Sequence, residues 1–381
     1  MLQYRTAGES HGRYMLAVVE GLPEGMPVRP DFADEILKRR RTPAGRSSRM
    51  SMEDDAVDII SGIYRGRTTG APVAVLVANR DYRIDKDIPP ITAPRPGHAD
   101  LAGTAKYLLR DARPVAERAG GRETVARCVA GALAGVLLGR FGVDVLGYVV
   151  RIATLSPVAR VASLERARAL RNRSKIYSLA PKHDTAAEKL IESARRSGDT
   201  LGGEFAVRAE GVPPGLGSPM QWDERLDARL AAAIVAIPSV KGVEIGGGFS
   251  LAGMKGSKAH DAIVPGAGRA KAPRREGNYA GGIEGGMSNG QPIVLRAAVK
   301  PVPTTGAPRA SVDVRTGKKA RTAAERADIC VVPAVSVVGE AVVAFEIARA
   351  MREKFGGDTL KEMESNFGNY IRALRRLYKK R

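Results

Sequence analysis

Cysteine is nearly absent from this chain of 381 residues: only Cys128 and Cys330 occur, far apart, each inside an apolar segment (VARCVAG and ADICVVP). That excludes a disulfide framework and predicts buried free thiols in a reducing compartment. The four histidines and two cysteines show no metal-ligand spacing, so no metal site is expected. Aromatic residues make up 5% of the sequence, which leaves base-stacking platforms scarce, and no common nucleic-acid-binding signature occurs. A nucleic-acid partner is therefore not expected. No apolar run reaches the ~18 residues of a membrane-spanning helix. The N-terminus lacks the basic-then-apolar order of a secretory leader. Together these absences predict a cytoplasmic protein with no membrane partner.

Acidic residues are also in deficit. Forty-one Asp and Glu stand against 61 Lys and Arg, a net charge of +20. Such a field attracts polyanions. Many arginines sit in loop-like segments beside glycine or proline, which favours pockets for small anions. The basic clusters are KRRRTPAGRSSRM (38–50), RPGHAD (95–100), YLLRDARPVAERAGGRE (107–123), AVKPVPTT (298–305) and RTAAERADIC (321–330). Guanidinium forks match carboxylate and phosphate, and a helix N-terminus after Arg122 offers free amides to an anion.

The segments that are present repeat. SGIYRGRTTGAPVAV (61–75) aligns without gaps to GGIEGGMSNGQPIVL (281–295), and VEGLPEGMP (19–27) resembles AEGVPPGLG (209–217). Helical periodicity follows each copy of the second pair, over 31–40 and 223–234. Two elements recurring in one order read as two related halves of one compact unit, about 1–150 and 200–350, and not as a short-period solenoid. Long apolar helices are expected over 121–142 and 335–355, apolar almost all round and so covered on more than one side. Strands are expected near 15–21, 72–79, 143–153, 205–211, 242–249, 292–299 and 310–316. A basic helix closes the chain within 358–381. The stretch 255–290 is Gly- and Lys/Arg-rich and poor in periodicity.

GESHG (8–12) fits the G-x-S-x-G elbow of serine hydrolases. The elbow fails on context: only seven residues precede Gly8, too few for a central strand and an upstream oxyanion loop. A glycine-flanked turn with a surface histidine is the alternative reading; His11 here and His98 in RPGHAD are side chains that can donate protons near neutral pH.

GESHG, RPGHADL, GRETVARCVAGAL and RADICVVPAVSVVGEA, in that order, resemble the signature segments of the chorismate synthase family. The two echoing segments and VEGLPEGMP are similar to further family segments, and the resemblance runs from about residue 4 to about 350. It implies a single α+β domain over 1–381, a sandwich with central helices between two antiparallel sheets, with the internal duplication related by a pseudo-twofold, usually assembled as a homotetramer. The implied activity is the 1,4-elimination of phosphate from 5-enolpyruvylshikimate 3-phosphate to give chorismate, a lyase reaction with reduced FMN as cofactor. NADPH is the reductant in members with an intrinsic flavin reductase; others receive reduced flavin from outside.

The resemblance also assigns residues. His11 protonates the leaving phosphate, His98 attends the reduced flavin, and Asp328 accepts a proton from a flavin ring nitrogen. Flavin contacts carry over onto Arg118, Ala119, Gly120, Pro238, Ser239, Gly285, Lys300, Pro301, Val302, Pro303, Thr304 and Arg326. Arg40, Arg46, Arg110 and Arg122 are assigned to the phosphate of substrate or of NADPH, and the basic charge is expected to gather with Arg326 around one pocket. Three departures stand out: Gly120 and Ala327 replace family serines, and Arg41-Thr42-Pro43 differs from the usual loop. The first two remove hydroxyl contacts to the flavin.

Overall fold

The computed structural model describes the chain except residues 48–51, 87, 158, 160, 267–271, 325–326 and 379–381. In chain order the elements are β1 (Gln3–Ala7), β2 (Tyr14–Glu20), α1 (Asp34–Arg41), β3 (Val57–Ile59), β4 (Ile63–Tyr64), β5 (Arg67–Thr68), β6 (Val73–Ala78), α2 (Asp100–Tyr107), α3 (Arg113–Arg118), α4 (Thr124–Gly139) and β7 (Asp144–Ile152). There follow α5 (Leu164–Arg173), α6 (Asp184–Arg196), β8 (Gly203–Glu210), α7 (Leu226–Val235), β9 (Val240–Ile245), α8 (Gly256–Ala259), β10 (Ile263–Val264), β11 (Arg274–Arg275), β12 (Ile283–Glu284) and β13 (Met287–Ser288). The chain ends with β14 (Ile293–Val299), β15 (Ala310–Val312), β16 (Lys319–Arg321), α9 (Val332–Phe355) and α10 (Leu360–Leu377).

Two four-stranded antiparallel sheets carry the fold, in the orders β1-β2-β6-β3 and β7-β8-β14-β9. On the first, Met15, Ala17 and Val19 of β2 and Val73, Val75 and Val77 of β6 point inward and are buried, as a period of two requires. Helix α4 packs on this face, α9 packs on β7 and β8 of the second sheet, and the two helices pack on each other. Both helices are apolar nearly all round because each is enclosed by a sheet and a helix. Their contact is close. A Cβ built on Gly131 of α4 would lie 2.4 Å from the Ala341 Cβ of α9, and one on Gly339 would lie 2.3 Å from the Phe205 ring. The expected helix over 121–142 is shorter at both ends, since 121–123 form a 3-10 turn. The second apolar helix starts three residues earlier than expected, with Pro333 in its first turn, where a missing N–H costs nothing.

The sequence echo has a counterpart in hydrogen bonds. Thr68 Oγ1 accepts from Met26 N at 2.9 Å and donates to Pro23 O at 2.5 Å. In the second half Ser288 Oγ accepts from Leu216 N at 2.8 Å and donates to Pro213 O at 2.6 Å. Gly62 and Gly282 share positive φ values of 84° and 82°, and a Cβ on either would meet the carbonyl of Pro72 or Pro292 at 2.6 Å. The hairpins β4–β5 and β12–β13 thus pin similar turns in the two echoing segments. Among its described residues the stretch 255–290 contains short pieces, α8 and β10 to β13.

Candidate active site

GESHG forms the connection between β1 and β2, a strand-to-strand turn and not the strand-to-helix turn of a hydrolase elbow. Gly8 adopts φ 108°, and a Cβ there would lie 2.3 Å from Tyr14 O, so the turn is too tight for a side chain. Asn79, after β6, donates to Glu9 O at 3.2 Å and to Gly12 O at 2.7 Å and fixes the turn on the sheet.

His11 leaves this turn toward α3. Its Nδ1 lies 2.8 and 3.0 Å from the two carboxylate oxygens of Glu117, and its backbone N donates to Glu117 Oε2 at 3.0 Å. Arg83 Nη2 lies 2.8 Å from His11 Nε2. Guanidinium only donates and carboxylate only accepts, so this arrangement assigns the proton to Nδ1 and a lone pair to Nε2. Asp81 Oδ2 is 3.6 Å from Nε2, and Asp81 also pairs with Arg83 at 3.0 Å. Burial pushes the Glu117 carboxyl up, but hydrogen bonds from the His11 ring and amide outweigh it and hold the group below the usual carboxylate range. The amide of Ser10 donates to Glu117 O at 3.0 Å. Ser10 is buried, and its Oγ sits 2.0 Å from the point a Cβ on Gly120 would occupy. The missing side chain at 120 is therefore the space that Ser10 fills.

His98 lies in a second cluster, ahead of α2. Its Nδ1 bonds to the buried Asp100 carboxylate, which also accepts from Arg95 Nε at 2.8 Å, Arg95 Nη2 at 3.0 Å and Arg95 N at 3.0 Å. Burial raises the Asp100 carboxyl, and the hydrogen bonds from His98 and Arg95 more than reverse it, so the group sits far below the usual range. This loop is tied to segment 300–304: Lys300 Nζ donates to Gly97 O at 2.6 Å and Arg95 Nη1 to Thr304 Oγ1 at 3.2 Å. Ser239, at φ 73°, accepts from Lys300 N at 2.9 Å, so the β9–β14 pairing brings 238–239 to the same place. Burial and the nearby Lys241 push the Lys300 ammonium below its ordinary value.

The phosphate-assigned arginines are arranged differently from one open pocket. Arg40 and Arg122 are buried and share Asp55, with Arg40 Nη2 at 3.2 Å. Arg122 also reaches Glu53 Oε2 at 3.3 Å and Asn79 Oδ1 at 2.6 Å. Two buried guanidinium groups require such counter-charges. Arg46 pairs with Asp328 at 2.5 Å, and Asp328 also accepts from Ser47 N at 2.7 Å. Arg110 is exposed on the connection between α2 and α3, where its carbonyl accepts from Arg315 Nε at 3.1 Å. Arg326 lies outside the described residues.

Four flavin-assigned residues come together. Arg118, Ala119, Gly120 and Pro238, with Glu123 and Arg127, line a cavity of about 310 Å³. Arg118 donates to Gly8 O at 2.9 Å and Thr6 O at 3.0 Å, so this cavity adjoins the GESHG turn. Gly285 is not part of it. Leu226 N donates to Gly286 O at 2.8 Å, which puts Gly285 at the start of α7, whereas Pro238 follows its end. A second cavity of about 230 Å³, among α1, α4, β7 and α9, contains none of the assigned residues. Sequence reasoning missed Glu117 and the carboxylates Glu53 and Asp55. The available signal for Glu117 was one acid between Arg113 and Arg118 in an otherwise basic segment.

No helix among the described residues is long and apolar enough to cross a membrane, and no group of acidic, His or Cys side chains among them is arranged to hold a metal ion. The family model described as chorismate synthase matches residues 2–351. The chain is 47% identical over 386 residues to the chorismate synthase of Desulforudis audaxviator, covering 98% of each. It is 45% identical over 387 residues to that of Moorella thermoacetica, covering 99% of this chain and 100% of the relative. A crystal structure of chorismate synthase superposes with a TM-score of 0.81 at 36% identity, covering 98% of both chains. The chain belongs to the chorismate synthase family, lyases that eliminate phosphate from 5-enolpyruvylshikimate 3-phosphate to form chorismate.

Proposed function

We propose that the elimination runs in a site assembled from the GESHG turn and the adjoining 118–120 cavity, with reduced FMN as the bound cofactor. The observation that carries this reading is the convergence of Arg118, Ala119, Gly120 and Pro238 around one cavity directly beside the turn that holds His11. The residues fit a flavin: Arg118 and Arg127 supply guanidinium donors, and Gly120 presents backbone without a side chain. Bound reduced flavin supplies the electron and the proton acceptor that make the unactivated ring C–H cleavable.

The chain's residues do the rest. His11, as the imidazolium, gives its Nε2 proton to the departing phosphate, and the N–H electron pair stays on the ring. His98, held by Asp100, would keep a proton beside a bound flavin, and Asp328, oriented by Arg46 and the Ser47 amide, would offer a carboxylate able to accept one. Ser239, Lys300, Pro301, Val302, Pro303, Thr304 and Arg326 complete the cofactor site; Gly285, distant from the cavity within one protomer, joins it from a neighbouring subunit of a homotetramer. Arg40, Arg46, Arg110 and Arg122 serve phosphate, of substrate or of NADPH as reductant; at Arg40 and Arg122 this requires Asp55 to yield. The half-buried outer faces of β2 and β6, with Leu16, Val18 and Leu76, are the kind of apolar surface that assembly covers. The two halves of the single domain are related by duplication about a pseudo-twofold, with α4 and α9 sandwiched between the sheets, and the enzyme works in the cytoplasm.

Anaerobic assay with 5-enolpyruvylshikimate 3-phosphate tests the cofactor. Chorismate should form with reduced FMN and not with oxidised FMN alone; turnover without any flavin contradicts the reading. Adding NADPH to oxidised FMN decides whether the chain reduces its own cofactor. Light scattering at micromolar protein should give four times the monomer mass, and a monomer contradicts the assembly.

A further inference from the structure

We propose that Glu117 is a positioning residue for the reaction, one that locks the His11 ring so that only Nε2 exchanges a proton with substrate. The proposal rests on the reading of His11 as the acid. Three contacts tie the histidine to this one buried side chain: both carboxylate oxygens reach Nδ1, and Oε2 also takes the His11 amide proton. The Glu117 carbonyl anchors the preceding residue through Ser10 N at 3.0 Å. Helix α3 thus holds both backbone and ring of the catalytic turn.

The groups around the pair agree with this role. Arg113, on the same helix, lies 3.5 Å from Glu117 Oε1 and adds to the stronger pull of His11 on the carboxylate's ionised form. On the opposite side, Arg83 and Asp81 face Nε2, a donor and an acceptor respectively. Nε2 therefore has a partner whether or not it carries a proton, while Nδ1 keeps its own proton, donated to Glu117, in both states. During turnover the Nε2–H bond breaks, an O–H bond forms on phosphate, and Glu117 is left unchanged. Without the carboxylate the ring is free to rotate and present Nδ1, the wrong nitrogen, to the substrate. Metal-bound and catalytic histidines are oriented through their other nitrogen by the same logic.

The test uses the whole enzyme with reduced FMN, under anaerobic single-turnover conditions. Glu117→Ala should lower the chemical rate by about tenfold or more, a share of the roughly 10²–10⁴ that a positioned acid supplies, with KM and FMN affinity nearly unchanged. Glu117→Gln, which retains an acceptor, should recover part of the loss. In a His11→Ala background, Glu117→Ala should cost less than about twofold more, because residues acting as one unit are not additive. A full additional loss in that background, or a loss confined to KM, overturns the positioning role. If His11→Ala keeps full rate, the reading of His11 fails and the proposal with it. If His11→Ala is slow and Glu117→Ala is not, only the proposal fails. Should the alanine variant not fold, ¹⁵N spectra of histidine-labelled native protein decide: His11 should carry its neutral-state proton on Nδ1, and a proton on Nε2 overturns the assignment.

Discussion

Ser10 and His11 are neighbours whose side chains leave the turn in different directions. The His11 ring points to Glu117 and Arg83, whereas the Ser10 hydroxyl fills the space left by Gly120. Gly120 has ordinary φ and ψ of −70° and 155°, so only space opposes a side chain there. Gly120→Ser should therefore lower the melting temperature modestly, and adding Ser10→Ala should restore it by vacating the contact. Lack of rescue in the double variant would show that something other than the Ser10 hydroxyl excludes the side chain. The histidine motifs were legible in sequence because each is compact. Glu117 and Asp55 were not, because their partners lie more than a hundred residues away in the first case and on a separate buried arginine pair in the second. Pairing of that kind is set by how α3 and the 53–55 segment pack, which local pattern does not encode.

At the scale of elements, the unbroken apolar character of 121–142 and 335–355 marked both central helices, since a helix covered on several sides needs no polar face. Their ends were less legible, because 3-10 turns and caps share the residues of helix interiors. The contact between them yields two substitutions of opposite sign. Gly131→Ala places a Cβ 2.4 Å from the Ala341 Cβ and should destabilise by about 1–3 kcal/mol or more, as overpacked cores do. Gly135→Ala, one turn on, meets nothing within 4 Å and should stabilise by up to about 1 kcal/mol from helix propensity. Denaturant midpoints of the two variants measure this. Equal and small effects would mean that α4 and α9 are not in close contact. The short strands within 255–290 carried no periodicity to read, since two-residue pairs are held by partners and not by a buried face.

At the scale of the whole molecule, a chain with a charge of +20 encloses its deepest carboxylates between arginines and histidines. Burial pushes Asp55, Asp100, Glu117 and Glu340 of α9, which pairs with Arg39 and Arg171, up, and their Arg and His partners more than reverse it, so all four are lowered in the folded state. Each therefore contributes stability that is fully present above the unfolded-state value of about 4 and is lost as pH falls below it. Thermal midpoints should be steady from neutral pH down to about 5 and then fall steeply below about 4. A midpoint that rises on acidification would contradict the ionised state of these four groups.

The central claim is that this chain eliminates phosphate from its substrate with His11 as the acid. Single-turnover chorismate formation, measured anaerobically with reduced FMN for wild type, Ser10→Ala and His11→Ala, tests it most directly. Ser10→Ala should retain substantial rate with no covalent intermediate on residue 10. His11→Ala should be slower by roughly a hundredfold or more, the scale of a positioned general acid, while still binding substrate and flavin. Equal losses in the two variants, with trapping of Ser10 by a serine-directed phosphonate, would contradict the account.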